Sequence, residues 1–168
     1  MEIREVNRSI TAIHRKSLSA PYKNLIKHGR LFGRVLDYGC GHGYDVIECR
    51  KRGMDIHGFD KFQQEWNSPP TGTYDVVTCN YVLNVIECPA ERKELVEYIK
   101  SLTDCAYFTV RSDFKSIKSS WEPMNDGYYT TNKTFQKFYT VESLLAEFGD
   151  VEIIESNNTR IMFKTRRN

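Results

Sequence analysis

Three glycines at alternate positions, Gly39, Gly41 and Gly43, follow a short apolar run that carries Asp37. Residues without a Cβ let a ligand approach backbone N–H groups at a strand-to-helix turn, where the helix adds a partial positive charge. Asp60 lies 17 residues after Gly43, at the end of the next apolar run. A carboxylate there can accept both hydroxyls of a ribose. Together the two signals predict a nucleoside-type cofactor.

The spacing of the glycines argues against a dinucleotide. A pyrophosphate-binding turn has the order Gly-x-Gly-x-x-Gly, whereas this one has the order Asp-x-Gly-x-Gly-x-Gly with the acid inside the strand. No pyrophosphate cradle is therefore spelled out, and the spacing favours a nucleoside-type cofactor over a dinucleotide.

The segment before the glycine turn carries two further candidates, Arg15 and His14. A guanidinium can hold a carboxylate through two parallel hydrogen bonds, and an imidazole can face the acceptor of a transferred group. A packing or surface role is the alternative for His14. Residues 1–34 hold eight Lys and Arg against two Glu, a balance that attracts phosphate-rich partners or simply solvates the surface.

The regular pattern lapses after Arg111 for about 25 residues, longer than an ordinary connection. We predict a substrate or lid insertion over 112–139, in which aromatic residues alternate with lysines. Such a composition suits stacking on a base with phosphate neutralisation, and it equally suits a lid that covers a pocket. The predicted acceptor-binding residues are Arg111, Gln136 and Lys137, and the predicted catalytic residues are His14 and Tyr139.

Apolar runs that alternate with helical patterns predict an α/β fold with a Rossmann-like, doubly wound, mostly parallel sheet. A C-terminal antiparallel hairpin closes one edge, and 1–33 form a basic, partly helical arm across the carboxyl edge of the sheet. The predicted strands are 34–37, 54–60, 74–80, 105–110, 151–155 and 160–164, and the predicted helices are 44–52, 89–102 and 141–148, with one or two short ones within 11–29.

Composition limits the other classes of function. The 168 residues, 40% of them hydrophobic, suffice for one domain over 1–168. No run approaches the roughly 20 apolar residues of a membrane span, and no signal-peptide pattern is present. We therefore expect a cytoplasmic protein without a membrane partner. We expect it to be a monomer or a homodimer. Dispersed histidines and five cysteines without CxxC spacing predict neither a metal site nor disulfides. The glutamates from Glu87 to Glu97 are interpreted as a solvated helix face.

The glycine turn, Asp60 and the run Tyr74-Asp-Val-Val through Asn80-Tyr-Val-Leu resemble class I S-adenosylmethionine (SAM)-dependent methyltransferases. The resemblance implies that the turn contacts the methionine moiety and that Asp60 holds the ribose. Asn80 and Tyr81 then flank the methyl group and its acceptor. The full set of cofactor-binding residues expected on this basis is Arg15, Asp37, Gly39, Cys40, Gly41, Asp60, Lys61, Asn80 and Tyr81.

The sequence is also similar to the methyltransferase-like part of proteins associated with DNA phosphorothioation. The similarity lies in five blocks that fall in the same order, 11–15, 18–21, 35–43, 81–87 and 134–139. One departure from the general plan is plain: only 13 residues separate Asp60 from Tyr74, too few for another strand and helix. One βα unit is therefore trimmed, and the cover of the adenine is expected from Lys61, Phe62, Trp66 or the N-terminal arm.

These observations favour a SAM-dependent methyltransferase that acts on a nucleic-acid or nucleotide-related acceptor. The strand after Asp75 ends without the Asn/Asp-Pro-Pro-aromatic motif of exocyclic-amine methylation, and the chain has no Pro-Cys nucleophile, so ordinary adenine or cytosine methylation of DNA is disfavoured. A small-molecule methyltransferase with an aromatic lid is one alternative. A non-catalytic SAM-binding or partner-docking module is another.

Overall fold

The computed structural model describes residues 4–166, which form a six-stranded sheet flanked by helices and a separate three-stranded sheet. The helices are α1 (Ala20–Lys27), α2 (Tyr44–Lys51), α3 (Pro89–Leu102) and α4 (Val141–Phe148). The strands of the large sheet are β1 (Val35–Tyr38), β2 (Ile56–Phe59), β3 (Val76–Asn80), β4 (Ala106–Arg111), β8 (Val151–Ser156) and β9 (Arg160–Thr165), and those of the small sheet are β5 (Glu122–Met124), β6 (Gly127–Tyr129) and β7 (Phe135–Gln136).

The large sheet has the order β2-β1-β3-β4-β9-β8. The first four strands are parallel, and β9 pairs antiparallel with both β4 and β8. The predicted Rossmann-like class, with its C-terminal hairpin, is confirmed. Because β1, β3 and β4 are buried on both faces, they read in the sequence as continuous apolar runs rather than alternating ones.

The trimming between β2 and β3 is also visible. Only a short 3-10 turn, Gln64–Trp66, lies between these strands. The chain then returns to β3, which pairs with β1 on the side opposite β2. The position of the crossover places the carboxyl ends of β1, β2 and β3 side by side, the region where open α/β sheets bind ligands.

Helix α1 begins where the sequence provides a cap and a proline. The Ser19 hydroxyl accepts from the backbone N–H of Tyr22, and Pro21 occupies the first turn, where its missing N–H costs nothing. Helix α4 begins with a capping box between Thr140 and Ser143. The local sequence thus fixes both helix starts.

The N-terminal arm is less helical than predicted. Before α1 it contains only the 3-10 turn Arg8–Ile10, and residues 4–19 otherwise cross the carboxyl edge of the sheet as extended chain. We call residues 4–19 the N-terminal strap. In the described part of the chain, none of the helices is long and apolar enough to cross a membrane.

The insertion over 112–139 is not a structureless loop. Strands β5, β6 and β7 form an antiparallel meander, and Phe138 packs among Trp121, Tyr128 and Phe114 at ring-centroid distances of 6.3, 6.3 and 5.8 Å. The aromatic residues that the sequence made prominent therefore form the insertion's own small core.

Candidate active site

The glycine turn joins β1 to α2 in a conformation that requires its glycines. Gly39 has φ +78°, and a Cβ there would lie 2.3 Å from Val82 Cγ2. The N–H groups of Gly39 and Cys40 both donate to the carbonyl of Phe59, at 2.7 and 3.0 Å. These bonds hold the turn against the end of β2. A larger residue at position 39 would be strained and would displace the turn.

Asp60 completes the turn from the end of β2. Its Oδ2 accepts from the Gly41 N–H and its Oδ1 from the Phe62 N–H, each at 2.9 Å. Each carboxylate oxygen keeps a second lone pair for a hydroxyl donor. Asp60 thus both fixes the turn and presents an acceptor beside it, which suits a ribose.

Two carboxylates lie close together below the turn. Asp37 Oδ1 accepts from the Thr78 hydroxyl at 2.9 Å, and Asp45 Oδ1 accepts from the Ser19 N–H at 2.8 Å. Burial, with the negative charge of Asp45 next, raises the pKa of Asp37 to about 7, while Arg15 opposes the shift. Neither acid forms an ion pair within residues 4–166. This environment fits a ligand that brings its own positive charge.

One cavity of about 380 Å³ opens at this edge of the sheet, at the small end of the range for ligand sites. Its walls come from the glycine turn, the ends of β2 and β3, helix α3 and the N-terminal strap. The structure brings around it all nine residues that the sequence assigned to the cofactor, Arg15, Asp37, Gly39, Cys40, Gly41, Asp60, Lys61, Asn80 and Tyr81.

Tyr81 enters the cavity from a strained backbone. Its φ is +60°, a left-handed conformation that costs a non-glycine residue roughly 1–3 kcal/mol and is concentrated at functional sites. Its N–H donates to the Thr109 carbonyl at 2.8 Å, which ties the residue to β4. Burial raises the pKa of the Tyr81 phenol, while nearby Arg160 and Arg15 oppose the shift. The phenol therefore stays protonated at neutral pH and can donate a hydrogen bond.

The predicted acceptor-side residues lie elsewhere. Tyr139, predicted to be catalytic, has no exposed surface and belongs to the hydrophobic core, so it cannot touch an acceptor. Lys137 pairs with Asp126 at 2.7 Å and with Glu147 at 2.5 Å. Its charge is thereby neutralised inside the protein. The sequence placed both residues in the site because they lie at the end of an aromatic, basic insertion, but the insertion folds them inward.

Arg111 and Gln136 brace the insertion and do not line the cavity. Arg111 donates to Asp113 at 2.9 and 2.7 Å, and its guanidinium lies 4.8 Å from the ring centre of Phe138. Gln136 accepts from the Asn84 amide at 3.3 Å. Both side chains connect the sheet to the insertion, and neither is free for an acceptor in this arrangement.

His14 lies at the surface beside the cavity but is not part of its lining. Its ring stacks on His42 of the glycine turn, with ring centroids 3.8 Å apart and planes 8° from parallel. The contact presses the strap onto the turn. This contact favours the packing role that the sequence left open for His14, and its catalytic role stays a prediction.

Several lining residues were not predicted from the sequence. Asp45 stands in the first turn of α2, where an acid is commonplace. Glu91 and Glu94 also line the cavity. Glu94 and Glu97 are exposed, as a solvated helix face requires, whereas Glu91 is half-buried and pairs with Arg8. Among the residues proposed to cover the adenine, Lys61 and Phe62 line the cavity. Trp66 does not line it, because its ring packs behind Gly43 and Gly58.

Within residues 4–166 no group of three or more His, Cys, Asp or Glu side chains is arranged to hold a metal ion. The five cysteines are free thiols. Burial raises the pKa of the Cys40 thiol, and the nearby carboxylates of Asp37 and Asp60 add to the shift. Cys40 therefore stays a thiol at the cavity wall rather than a thiolate nucleophile.

The sequence model of a methyltransferase domain matches residues 11–151. A search of curated protein sequences finds no significant match. Among solved structures, magnesium protoporphyrin IX methyltransferase from Synechocystis PCC 6803 with bound S-adenosylhomocysteine (SAH) is similar, with a TM-score of 0.58, 20% identity, and coverage of 88% of this chain and 81% of that one.

Two further solved structures are similar. CcbJ methyltransferase from Streptomyces caelestis has a TM-score of 0.60 and 9% identity, and the match covers 87% of this chain and 89% of that one. 1,6-Didemethyltoxoflavin-N1-methyltransferase from Burkholderia thailandensis has a TM-score of 0.59 and 16% identity. The match covers 88% of this chain and 78% of that one. At these identities the structures show a shared fold, and the matched sequence model adds the family. The chain therefore belongs to the methyltransferase domain family, and it is a SAM-dependent methyltransferase.

Proposed function

We propose that this methyltransferase binds SAM in the cavity beneath the N-terminal strap and transfers its methyl group to a small molecule. The observation that carries the proposal is the buried acid pair, Asp37 and Asp45, which lies beside the glycine turn and forms no ion pair within residues 4–166. A ligand with an ammonium group and a sulfonium supplies the positive charge that these acids lack.

The lining residues support one orientation of SAM in the cavity. The methionine end fits the glycine turn, with its ammonium group toward Asp37 and its carboxylate toward Arg15, which forms no ion pair within the described range 4–166. The ribose fits the remaining lone pairs of Asp60. Lys61 and Phe62 follow directly and line the cavity, which supports their assignment as the cover of the adenine.

When bound, SAM supplies an electrophilic methyl group on a sulfonium sulfur. The chain's own residues then have to hold the acceptor in line and keep water out. Tyr81, held in its strained conformation and protonated at neutral pH, can donate a hydrogen bond to the acceptor. Neither Tyr81 nor the buried Tyr139 serves as a strong base, so the arrangement suits an acceptor that is already nucleophilic.

The enclosure of the cavity favours a small acceptor. The strap supplies part of its wall, and Ala12 lies 3.4 Å from the position that a Cβ on Gly41 would take. Lys137 and Arg111, which would have faced phosphates, are paired with Asp126, Glu147 and Asp113 instead. A base in a duplex would have to be turned fully out of its stack to reach such a site.

A nucleic-acid acceptor is the second candidate, and a specific surface supports it. Lys16, Lys23 and Lys27 are exposed on and before α1, and none forms an ion pair within residues 4–166. Unpaired lysines on one side of a domain favour binding to phosphates. The resemblance to proteins associated with DNA phosphorothioation points the same way.

One labelling experiment tests the proposal. The protein is incubated with methyl-labelled SAM and a cell extract that has been divided into a low-molecular-mass fraction, RNA and DNA. Label in the low-molecular-mass fraction, insensitive to salt, supports the small-molecule function. Label in RNA or DNA that falls steeply between 50 and 200 mM salt, as phosphate contacts require, would replace it with the second candidate.

A further inference from the structure

After Asp60, the short connection from β2 to β3 supplies only Lys61, Phe62 and Gln63 to the wall of the cofactor cavity. The connection from β2 to β3 contains only the turn Gln64–Trp66. The ring of Trp66 packs behind Gly43 and Gly58, and the residue does not line the cavity. Another segment of the chain completes the wall of the cavity.

The N-terminal strap supplies that wall. Five residues from Arg8 to Ile13 line the cavity together with Arg15. Ala12 lies against Gly41, where the methionine end of SAM is proposed to bind. The strap therefore stands between the cofactor site and the surface.

Leu18 at one end of the strap is buried in the core, but residues 4–16 are held mainly by charged hydrogen bonds. None of residues 4–16 is buried, and the side chains of Ile10 and Ile13 are 54% and 63% exposed. Arg8 makes the strongest contacts of this segment. Its Nε donates to Glu87 at 3.0 Å and its Nη2 donates to Glu91 at 2.8 Å. Both partners adjoin or belong to α3, across the cavity from the turn.

The remaining attachments of residues 4–16 include the stack of His14 on His42, hydrogen bonds to backbone groups and one surface ion pair. The Asn7 N–H donates to the Lys133 carbonyl at 2.8 Å, and the Tyr129 hydroxyl donates to the Glu5 carbonyl at 3.3 Å. Arg4 pairs with Glu122, but both side chains are well exposed, and such surface pairs contribute little. The Arg8 side chain is only 14% exposed, and hydrogen bonds between charged groups are the strong ones.

We propose that Arg8 is a positioning residue for the cofactor: by fastening the strap to Glu87 and Glu91 it forms the wall that retains SAM and SAH, and the strap must unfasten for either to leave. This inference rests on the proposed placement of SAM in the cavity. Because the fastening is ionic and lies near the surface, salt loosens it by screening.

The test measures SAH dissociation from the captured full chain by surface plasmon resonance. Arg8→Gln removes the charge and keeps most of the side chain, and Arg4→Gln is the matched control on the same strap. We expect Arg8→Gln to speed SAH dissociation about tenfold, the usual size for charged hydrogen bonds. Arg4→Gln should change the rate less than about twofold. Arg8→Lys should restore part of the loss.

Three further readouts separate fastening from a general loss of structure. Glu91→Gln should speed dissociation as well, and the double variant with Arg8→Gln should be less than additive, because both remove the same contact. Arg8→Gln should still unfold in one cooperative urea transition, since no residue of 4–16 is buried and the loss of their contacts leaves the core intact. Raising the salt concentration should speed dissociation from the natural chain and leave Arg8→Gln nearly unchanged.

The contrary outcomes are distinct. A natural chain that binds no SAH overturns the proposed placement and this inference with it. A natural chain that binds SAH, with Arg8→Gln dissociating at the same rate, overturns the role of Arg8 alone. Faster association with unchanged dissociation would make the strap a barrier to the cofactor and would also contradict the proposal.

Discussion

Replacing Asp37 with Asn should stabilise the fold and weaken cofactor binding at the same time. Asp37 is 4% exposed and shares its surroundings with Asp45. Its Oδ1 accepts from the Thr78 hydroxyl, and the amide oxygen of an Asn can accept that same bond. The substitution therefore removes the charge and keeps the shape.

The size of the effect follows from the pKa of Asp37. Burial raises it from 3.8 to about 7, and each pKa unit corresponds to 1.36 kcal/mol, so the ionised side chain costs the fold about 4 kcal/mol above pH 7. Below pH 3.8 the group is protonated in both the folded and the unfolded chain, and the cost vanishes. The stability of the natural chain therefore falls progressively between pH 3.8 and about 7 and levels off above pH 7.

Urea unfolding of both chains from pH 4 to pH 8 measures this. The free energy of unfolding of Asp37→Asn should exceed that of the natural chain by less than about 1 kcal/mol near pH 4 and by about 4 kcal/mol at pH 8. Asp150→Asn, at an acid whose side chain is 80% exposed, should change stability by less than about 0.5 kcal/mol throughout.

A difference between Asp37→Asn and the natural chain that stays constant with pH would refute this reasoning, because a constant difference cannot arise from titration of Asp37. A variant that is less stable at pH 8 would refute it too. In that case the carboxylate would already have a compensating partner in the folded protein.

Three other outcomes are expected. SAM affinity, measured by calorimetry, should fall by up to about tenfold per pH unit below pH 7, where Asp37 takes up a proton, and should lose this dependence in Asp37→Asn. Gly39→Ala should cost about 1–3 kcal/mol in urea unfolding and abolish SAM binding, because its Cβ would meet Val82 at a positive φ; wild-type affinity would contradict the close approach. Arg92→Met should lower the free energy of unfolding in urea by about 3–5 kcal/mol, since it leaves Glu147 with one cation fewer. The surface substitution Lys100→Met should lower it by less than about 1 kcal/mol.

The cofactor end of the cavity could be predicted from the sequence because its chemistry is local. A turn that needs φ near +78° at Gly39 leaves a glycine in the sequence, and a strand end that offers a carboxylate leaves Asp60. The parallel sheet then brings such strand ends together at one edge. Gly39, Gly41 and Asp60 follow from these constraints, and the other expected lining residues were implied by the family resemblance.

The acceptor end could not be predicted because its residues depend on distant partners. Lys137 has the composition of a phosphate contact, but Glu147 and Asp126 neutralise it after folding. Glu91 has the spacing of a solvated face, but Arg8, 83 positions earlier, brings it to the cavity wall. Pairings across such separations leave no periodic signal in the sequence.

The central claim is that SAM occupies this cavity with its ribose on Asp60. Calorimetric titration of the full chain with SAM and with SAH, beside the variants Asp60→Asn and Asp55→Asn, tests it most directly. Asp55 is an exposed acid that precedes β2 and does not line the cavity. The account predicts micromolar binding that is lost in Asp60→Asn and kept in Asp55→Asn. Binding that survives Asp60→Asn, or no binding by the natural chain, would contradict it.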